Sequence, residues 1–179
     1  LILGFKPNEH EYKVMGLAPY SKPKYFNKVE NIFKTFQTVK GTKFVYKNKP
    51  KDLFFHVKNK LEGQRFDSIA AGLQSYTESL IIRWVKNCIK KTKAKNICLA
   101  GGVGLNVKVN MLISQISKDI NLFVPPSPDD SSQAMGACYA YYLSLSKKKI
   151  LKKVRPIKHA YLGPDVNLDI VKKKIKKFY

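Results

Sequence analysis

The stretch Asn96-Ile97-Cys98-Leu99-Ala100-Gly101-Gly102-Val103-Gly104-Leu105-Asn106 decides the fold. Residues 96–100 are a short apolar run of the kind that forms a buried parallel strand. Three glycines in four positions then break the chain. Residues 105–116 read as a helix, and 120–124 as a second strand. A strand, a glycine turn, a helix and a strand predict an α/β domain with a right-handed parallel crossover. Upstream, residues 66–92 predict one long helix. Phe66, Ile69, Ala70, Leu73, Tyr76, Thr77, Leu80, Ile81, Trp84, Val85, Cys88 and Ile89 fall on one 3.6-residue face. Lysines crowd its end, which suits the helix dipole. Downstream, a third helix over 132–146 carries Ala134, Gly136, Ala137 and Ala140 on a face expected to pack closely.

The flanks are less regular. Residues 1–21 form a compact segment that ends in Pro19, Tyr20 and Ser21. Residues 22–60 are Lys-rich and read as an insertion-like subregion. A helix over 23–36 and short strands near 43–46 and 53–57 are expected there, punctuated by Gly41 and Asn48-Lys49-Pro50. His56 alternates with apolar neighbours and reads as a surface or half-buried strand histidine. Residues 147–160 read as a basic connector. Tyr161-Leu162-Gly163-Pro164 begins something new, and a polar-basic helix follows over about 167–178.

Length and composition narrow the class. The 179 residues suit one domain, and 44% apolar with 12% aromatic content is globular. No apolar run approaches the roughly 18 residues of a membrane span, and no signal peptide is expected. The first residue is not Met, so a fragment is expected. Cys88, Cys98 and Cys138 form no CxxC pair and read as buried, reduced core thiols of a cytoplasmic protein. The net charge of +22 points two ways. It suits a nucleic-acid binder. It also suits an AT-rich genome, because the excess is mostly Lys, spread along the chain and lacking the bidentate fork of Arg. The second reading is preferred, and a nucleic-acid partner is not expected.

Three motifs carry candidate chemistry. In Gly101–Asn106, glycines let the backbone approach a ligand with unobstructed N–H donors. The helix start that follows favours an anion, and Asn106 either contacts ligand or holds the turn. A purely structural tight turn would use the same residues. Pro125-Pro126-Ser127-Pro128-Asp129-Asp130-Ser131-Ser132 follows the end of the next strand, where open α/β sheets place their ligands. Its carboxylates suit helix caps or a metal ligand. Glu9-His10-Glu11-Tyr12-Lys13 running into Gly16-Leu17-Ala18-Pro19-Tyr20 suits a ribose, a base, a hydroxyl or simply a solvated helix start.

Together, EYKVMGLAPY, AGGVGLNVKVN and PPSPDDSSQAMGA, in that order, resemble the O-carbamoyltransferases of the nodulation-factor and cephem-antibiotic type. The resemblance covers roughly residues 1–165, loosely over 22–60. It implies an actin/Hsp70/sugar-kinase-like (ribonuclease H-like) fold, here the C-terminal half, with a mixed sheet flanked by helices. Residues 1–160 would be part of the nucleotide-binding domain, and 161–179 a truncated start of the next. It further implies carbamoyl phosphate and ATP as substrates. A carbamoyl-adenylate would form in a separate YrdC-like domain, and its carbamoyl group would pass to a hydroxyl of a sugar or secondary metabolite. Gly101, Gly102, Val103 and Asn106 would contact the adenylate, and Glu11 and Lys13 would line the nucleotide pocket. Asp130 would ligate a divalent metal, usually described as iron.

The chain also departs from that pattern. The paired metal-binding histidines and an N-terminal catalytic Asp lie upstream in the family, and His10, His56 and His159 are too scattered to replace them. His10 stands where an acidic residue is common, and Ser21 and Ser132 where glycines are. The YrdC-like domain is expected to lie outside these residues. No catalytic residue is assigned, and the isolated chain is expected to be inactive. The rival readings are a basic RNA- or tRNA-binding module, a kinase or ATPase of the same superfamily, and an inactive remnant.

Overall fold

The computed structural model describes residues 1–145, 163 and 167–177. Leu1–Gln133 forms one compact unit and Ala134–Tyr179 a second. In chain order the first unit holds helices α1 (Glu11–Leu17) and α2 (Pro23–Phe33), then strands β1 (Gln37–Lys40) and β2 (Lys43–Tyr46). Helices α3 (Leu53–Leu61) and α4 (Phe66–Thr92) follow, then β3 (Asn96–Cys98), α5 (Val107–Ser114) and β4 (Asn121–Phe123). Helix α6 (Gln133–Ser144) leads into the second unit, which also holds α7 (Leu168–Ile175).

The chain is α/β and mostly helical, with small sheets. The expected single mixed sheet is not what the described residues form. β1 and β2 pair antiparallel, and β3 and β4 pair parallel as a separate sheet. The predicted strand, helix, strand order around α5 is present, with Ile97 opposite Leu122.

Helix α4 organises the first unit, and its span matches the sequence expectation. Its first half meets α2, where Val29, Phe33 and Phe36 pack with Ile69 and Leu61. Its second half meets β3 and α5, where Ile81 and Val85 pack with Leu99, Val109 and Ile113. Gly72 makes the first crossing possible, because α2 lies where any larger side chain would sit. The 22–60 stretch belongs to this packing. Trp84 donates Nε1–H to the Thr42 carbonyl at 3.0 Å, and Tyr76 donates its hydroxyl to the Gln37 carbonyl at 3.0 Å. Phe66, expected on the core face, is exposed at the first residue of α4.

Several expectations are corrected. Residues 53–57 are helical, not a strand: Asp52 accepts the Phe55 N–H at 2.9 Å and caps α3. His56 is therefore a helix residue, half-buried edge-on against Phe36. α2 ends at Phe33 instead of continuing to 36, and the chain turns directly into β1, which the sequence did not suggest. The cysteines are not core thiols: Cys88 is half-buried, and Cys98 and Cys138 are exposed. The cause at Cys98 is that β3–β4 is covered on one face only. Ile97, Leu99, Leu122 and Val124 join the core, while Cys98 and Phe123 alternate outward. For the same reason β3 is not a strand buried on both faces. No residue of α6 is buried, so the close packing expected of its small-residue face is not found among the described residues.

The connector expected over 147–160 and the Tyr161–Pro164 motif lie outside the described residues, Gly163 excepted. No helix among the described residues is long and apolar enough to cross a membrane.

Candidate functional site

The site is assembled on α4. Gln74 and Asn106 exchange side-chain hydrogen bonds: Asn106 Nδ2 donates to Gln74 Oε1 at 2.9 Å, and Gln74 Nε2 donates to Asn106 Oδ1 at 3.1 Å. Gln74 Nε2 also donates to Glu78 Oε1 at 2.9 Å. Asn106 Oδ1 accepts the Val109 N–H at 3.1 Å, capping α5. The side chain of Asn106 thus holds the turn to α4, and the start of α5 is capped from within the chain.

The glycine turn is fixed from its other side as well. Gly101, at φ +97°, donates its N–H to the Pro128 carbonyl at 2.7 Å. Asn110 Nδ2 donates to the Gly104 carbonyl at 2.7 Å. These bonds use the Gly101 N–H, while the N–H groups of Gly102 and Val103 have no partner among the described residues. Both residues are exposed. Among the described residues the two amides are the free donors of the turn. Asn110 Oδ1 lies buried beside it without a partner among the described residues.

The proline loop therefore lies directly against the glycine turn, and it treats its two carboxylates differently. Asp129 Oδ1 accepts the hydroxyls of Ser127, at 2.8 Å, and of Ser131. Asp130 is exposed and, among the described residues, accepts only Gln133 Nε2, at 3.2 Å. Asp129 shapes the loop and Asp130 is the available carboxylate. The hydroxyls of Ser131 and then Ser127 hold the Asp129 carboxyl below its ordinary value near 3.8. A carboxyl depressed in the folded state adds stability above its ordinary value and loses it as pH falls through the folded value. Carboxyl NMR titration is expected to find Asp129 titrating below 3.8. Ser131→Ala is expected to move it up towards that value.

The N-terminal motif meets α4 just before the turn does. Val14, Leu17 and Ala18 pack with Ala70 and Ala71. Those alanines precede Gln74 by four and three residues, so both motifs sit on neighbouring turns of one helix face. Within this motif, Glu11 Oε1 accepts the Asn8 N–H at 2.6 Å, and Lys13 is half-buried in α1. Glu11 is thereby tied to its own loop.

Among the described residues Asp130 has no companion ligands. The described residues contain no group of three His, Cys, Asp or Glu able to hold a metal. They do not fit the implied iron by themselves.

Gln74, Asn110 and the Pro128 carbonyl were missed by reading motifs. Only Gln74 had a signal: a polar residue beside the apolar face of a long helix. Asn106→Ala removes a cap and leaves Gln74 partly unpaired, so a loss of about 2 kcal/mol is expected. Asn106→Ser keeps a capping oxygen and is expected to lose about 1 kcal/mol, that of the clasp alone. Urea unfolding of both variants checks the difference.

Comparison with known proteins identifies the family. The family model described as "Carbamoyltransferase N-terminus" matches residues 1–139. An uncharacterized protein of Synechocystis sp. is 33% identical over 178 residues, which is 90% of this chain and 29% of that protein. An uncharacterized protein of Methanocaldococcus jannaschii is 28% identical over 98% of this chain and 29% of its own length. Nodulation protein NolO of Bradyrhizobium diazoefficiens is 28% identical over 87% of this chain and 29% of its own length. The chain spans less than a third of the length of these relatives. With the model covering both the N-terminal motif and the locked pair of glycine turn and proline loop, the chain belongs to the carbamoyltransferase N-terminus family.

Proposed function

We propose that the chain is part of an O-carbamoyltransferase and supplies one wall of its transfer site. The donor is a carbamoyl-adenylate made from carbamoyl phosphate and ATP, and the acceptor is a hydroxyl of a sugar or secondary metabolite. The observation that carries this reading is the locked turn: the Gly101 N–H is spent on Pro128, which leaves the Gly102 and Val103 N–H groups free on an exposed turn beside the loop that holds Asp130.

Preorganised amides of this kind stabilise charge on the phosphate of an adenylate. The acceptor oxygen attacks the carbamoyl carbon, the bond from that carbon to the phosphate oxygen breaks, and AMP leaves with the electron pair. The hydroxyl proton passes to a carboxylate. Glu11 and Lys13 border the nucleotide end. Asp130 offers one carboxylate to a metal whose other ligands come from outside these residues. The strand, turn, helix and strand around α5 fit the C-terminal half of an actin/Hsp70-like domain, with a second domain beginning near residue 161. The free cysteines favour a reducing compartment such as the cytoplasm.

Two experiments test the reading. Titration of the isotope-labelled chain with 5′-O-sulfamoyladenosine, a stable mimic of carbamoyl-adenylate, is expected to shift the amide signals of Gly102 and Val103. An unmoved pair with shifts elsewhere would remove the adenylate from this turn. Second, the purified chain given carbamoyl phosphate, ATP and a sugar acceptor is expected to show no carbamoyl transfer. Turnover by the chain alone would contradict the one-wall reading. The net charge of +22 keeps one second reading, a basic RNA- or tRNA-binding module or inactive remnant of the same fold. It predicts tight RNA binding that falls steeply with salt.

A further inference from the structure

A second concavity lies away from the glycine turn, where the β1–β2 turn meets the last turns of α4. It measures about 670 Å³ and is lined by Lys40, Thr42, Lys43, Asn87, Lys90 and Lys91 along with the turn glycine. Asn87 begins about 20 Å along α4 from Gln74, at 1.5 Å per residue.

The walls are pinned. Asn87 Nδ2 donates to the Gly41 carbonyl at 2.7 Å, and Trp84 Nε1 donates to the neighbouring Thr42 carbonyl at 3.0 Å. Two lysines come from the hairpin and two from α4, and all four are exposed. No carboxylate lines the concavity, and none of the four enters an ion pair among the described residues. Four cations from two elements around one hollow repel one another and create a positive potential that a bound anion relieves.

We propose that this concavity binds a short chain of phosphates, as inorganic oligophosphate or as the phosphate tail of a nucleotide. The hollow is open to solvent and its volume is large enough to seat a short phosphate chain. Lysines act as point charges towards phosphate. Thr42 and Asn87 add hydroxyl and amide donors. The lining holds no aromatic ring on which a base would stack, which disfavours single-stranded nucleic acid. The site is independent of the carbamoyl-transfer reading and stands or falls separately.

The test is calorimetric titration of the full chain with tripolyphosphate and with ATP, at two salt concentrations. Tripolyphosphate is expected to bind, more weakly at higher salt, and to shift the amide signals of Thr42 and Lys43. Lys43→Gln with Lys90→Gln is expected to weaken binding at least tenfold. Lys58→Gln with Lys60→Gln, which removes the same charge from the exposed side of α3, is expected to leave it within twofold. ATP binding no tighter than tripolyphosphate assigns the site to the phosphate chain, and tighter binding assigns it to a nucleotide. Equal losses in the two double variants would overturn the proposal in favour of net charge alone. Unmoved amides at Thr42 and Lys43 would place the binding elsewhere. Duplex RNA that binds through these lysines and is not displaced by tripolyphosphate would replace the proposed ligand by a nucleic-acid backbone.

Discussion

Replacing Gly72 with alanine is expected to destabilise the chain by about 2 kcal/mol, although alanine is the better helix former. A Cβ at this position would lie 2.8 Å from Val29 Cγ1, 2.9 Å from Val29 Cβ and 2.9 Å from the Glu30 backbone nitrogen. Val29 is fully buried, so its side chain has no room to swing away. A backbone atom gives only if α2 moves as a whole. Overpacking of this kind costs about 1–3 kcal/mol, and rigid neighbours put this case at the upper end. Alanine returns about 1 kcal/mol of helix propensity. The net figure corresponds to a fall of roughly 4–8 °C in Tm for a chain of this size. Gly16→Ala supplies the contrast. It lies in α1, where an added Cβ would meet nothing within 4 Å, so only the propensity gain, up to about 1 kcal/mol, remains. Thermal melts of the two variants moving in opposite directions would establish that the α2–α4 contact governs Gly72. A neutral Gly72→Ala would mean the two helices slide freely.

That glycine also shows where sequence reading stops. The span of α4 was legible because twelve residues repeat at helical spacing over 66–92, a long and redundant signal. The strand, turn and helix order around Gly101 was legible because glycines interrupt two apolar runs. A glycine inside α4 was visible too, but its partner is 43 residues earlier in the chain and no local pattern names it. The strand expected over 53–57 failed because alternation over five residues is a weak signal, and the cap supplied by Asp52 decided for helix. The exposure of Cys98 was illegible because an apolar run does not say how many faces a neighbour will cover.

The candidate site divides in the same way. Its motifs were legible as motifs, but the division of labour within them was not. Asp129 and Asp130 are identical in sequence terms, and only the positions of Ser127 and Ser131 make one structural and the other available. Likewise Gly101 and Gly102 look alike, yet the Pro128 carbonyl claims one amide and leaves the next. A turn can present donors to a ligand only where the fold has not already used them, so long-range contacts select which residues of a motif remain for chemistry.

Gly104→Ala tests whether that selection depends on the contact between turn and loop. A Cβ on Gly104 would lie 2.8 Å from Pro128 Cβ and 3.2 Å from Pro128 Cγ. The ring is rigid and Pro128 is buried, so the loop must retreat from the turn as a body. The bond from the Gly101 N–H to the Pro128 carbonyl lengthens as it does so. The expected cost is about 1–3 kcal/mol of overpacking with about 1 kcal/mol for the weakened bond. Hydrogen exchange gives the local readout: the Gly101 amide, hydrogen-bonded to the Pro128 carbonyl in the parent chain, is expected to exchange about tenfold faster or more, which corresponds to about 1.4 kcal/mol. Pro128→Gly removes the opposing Cβ, so the double variant Gly104→Ala with Pro128→Gly is expected to regain part of that protection. The free Gly102 and Val103 amides should meanwhile lose their response to 5′-O-sulfamoyladenosine in the single variant, since their spacing from Asp130 is set by the same contact. Unchanged exchange at Gly101 would show that the turn holds its shape without the loop. The pairing of the two motifs would then be incidental to the site.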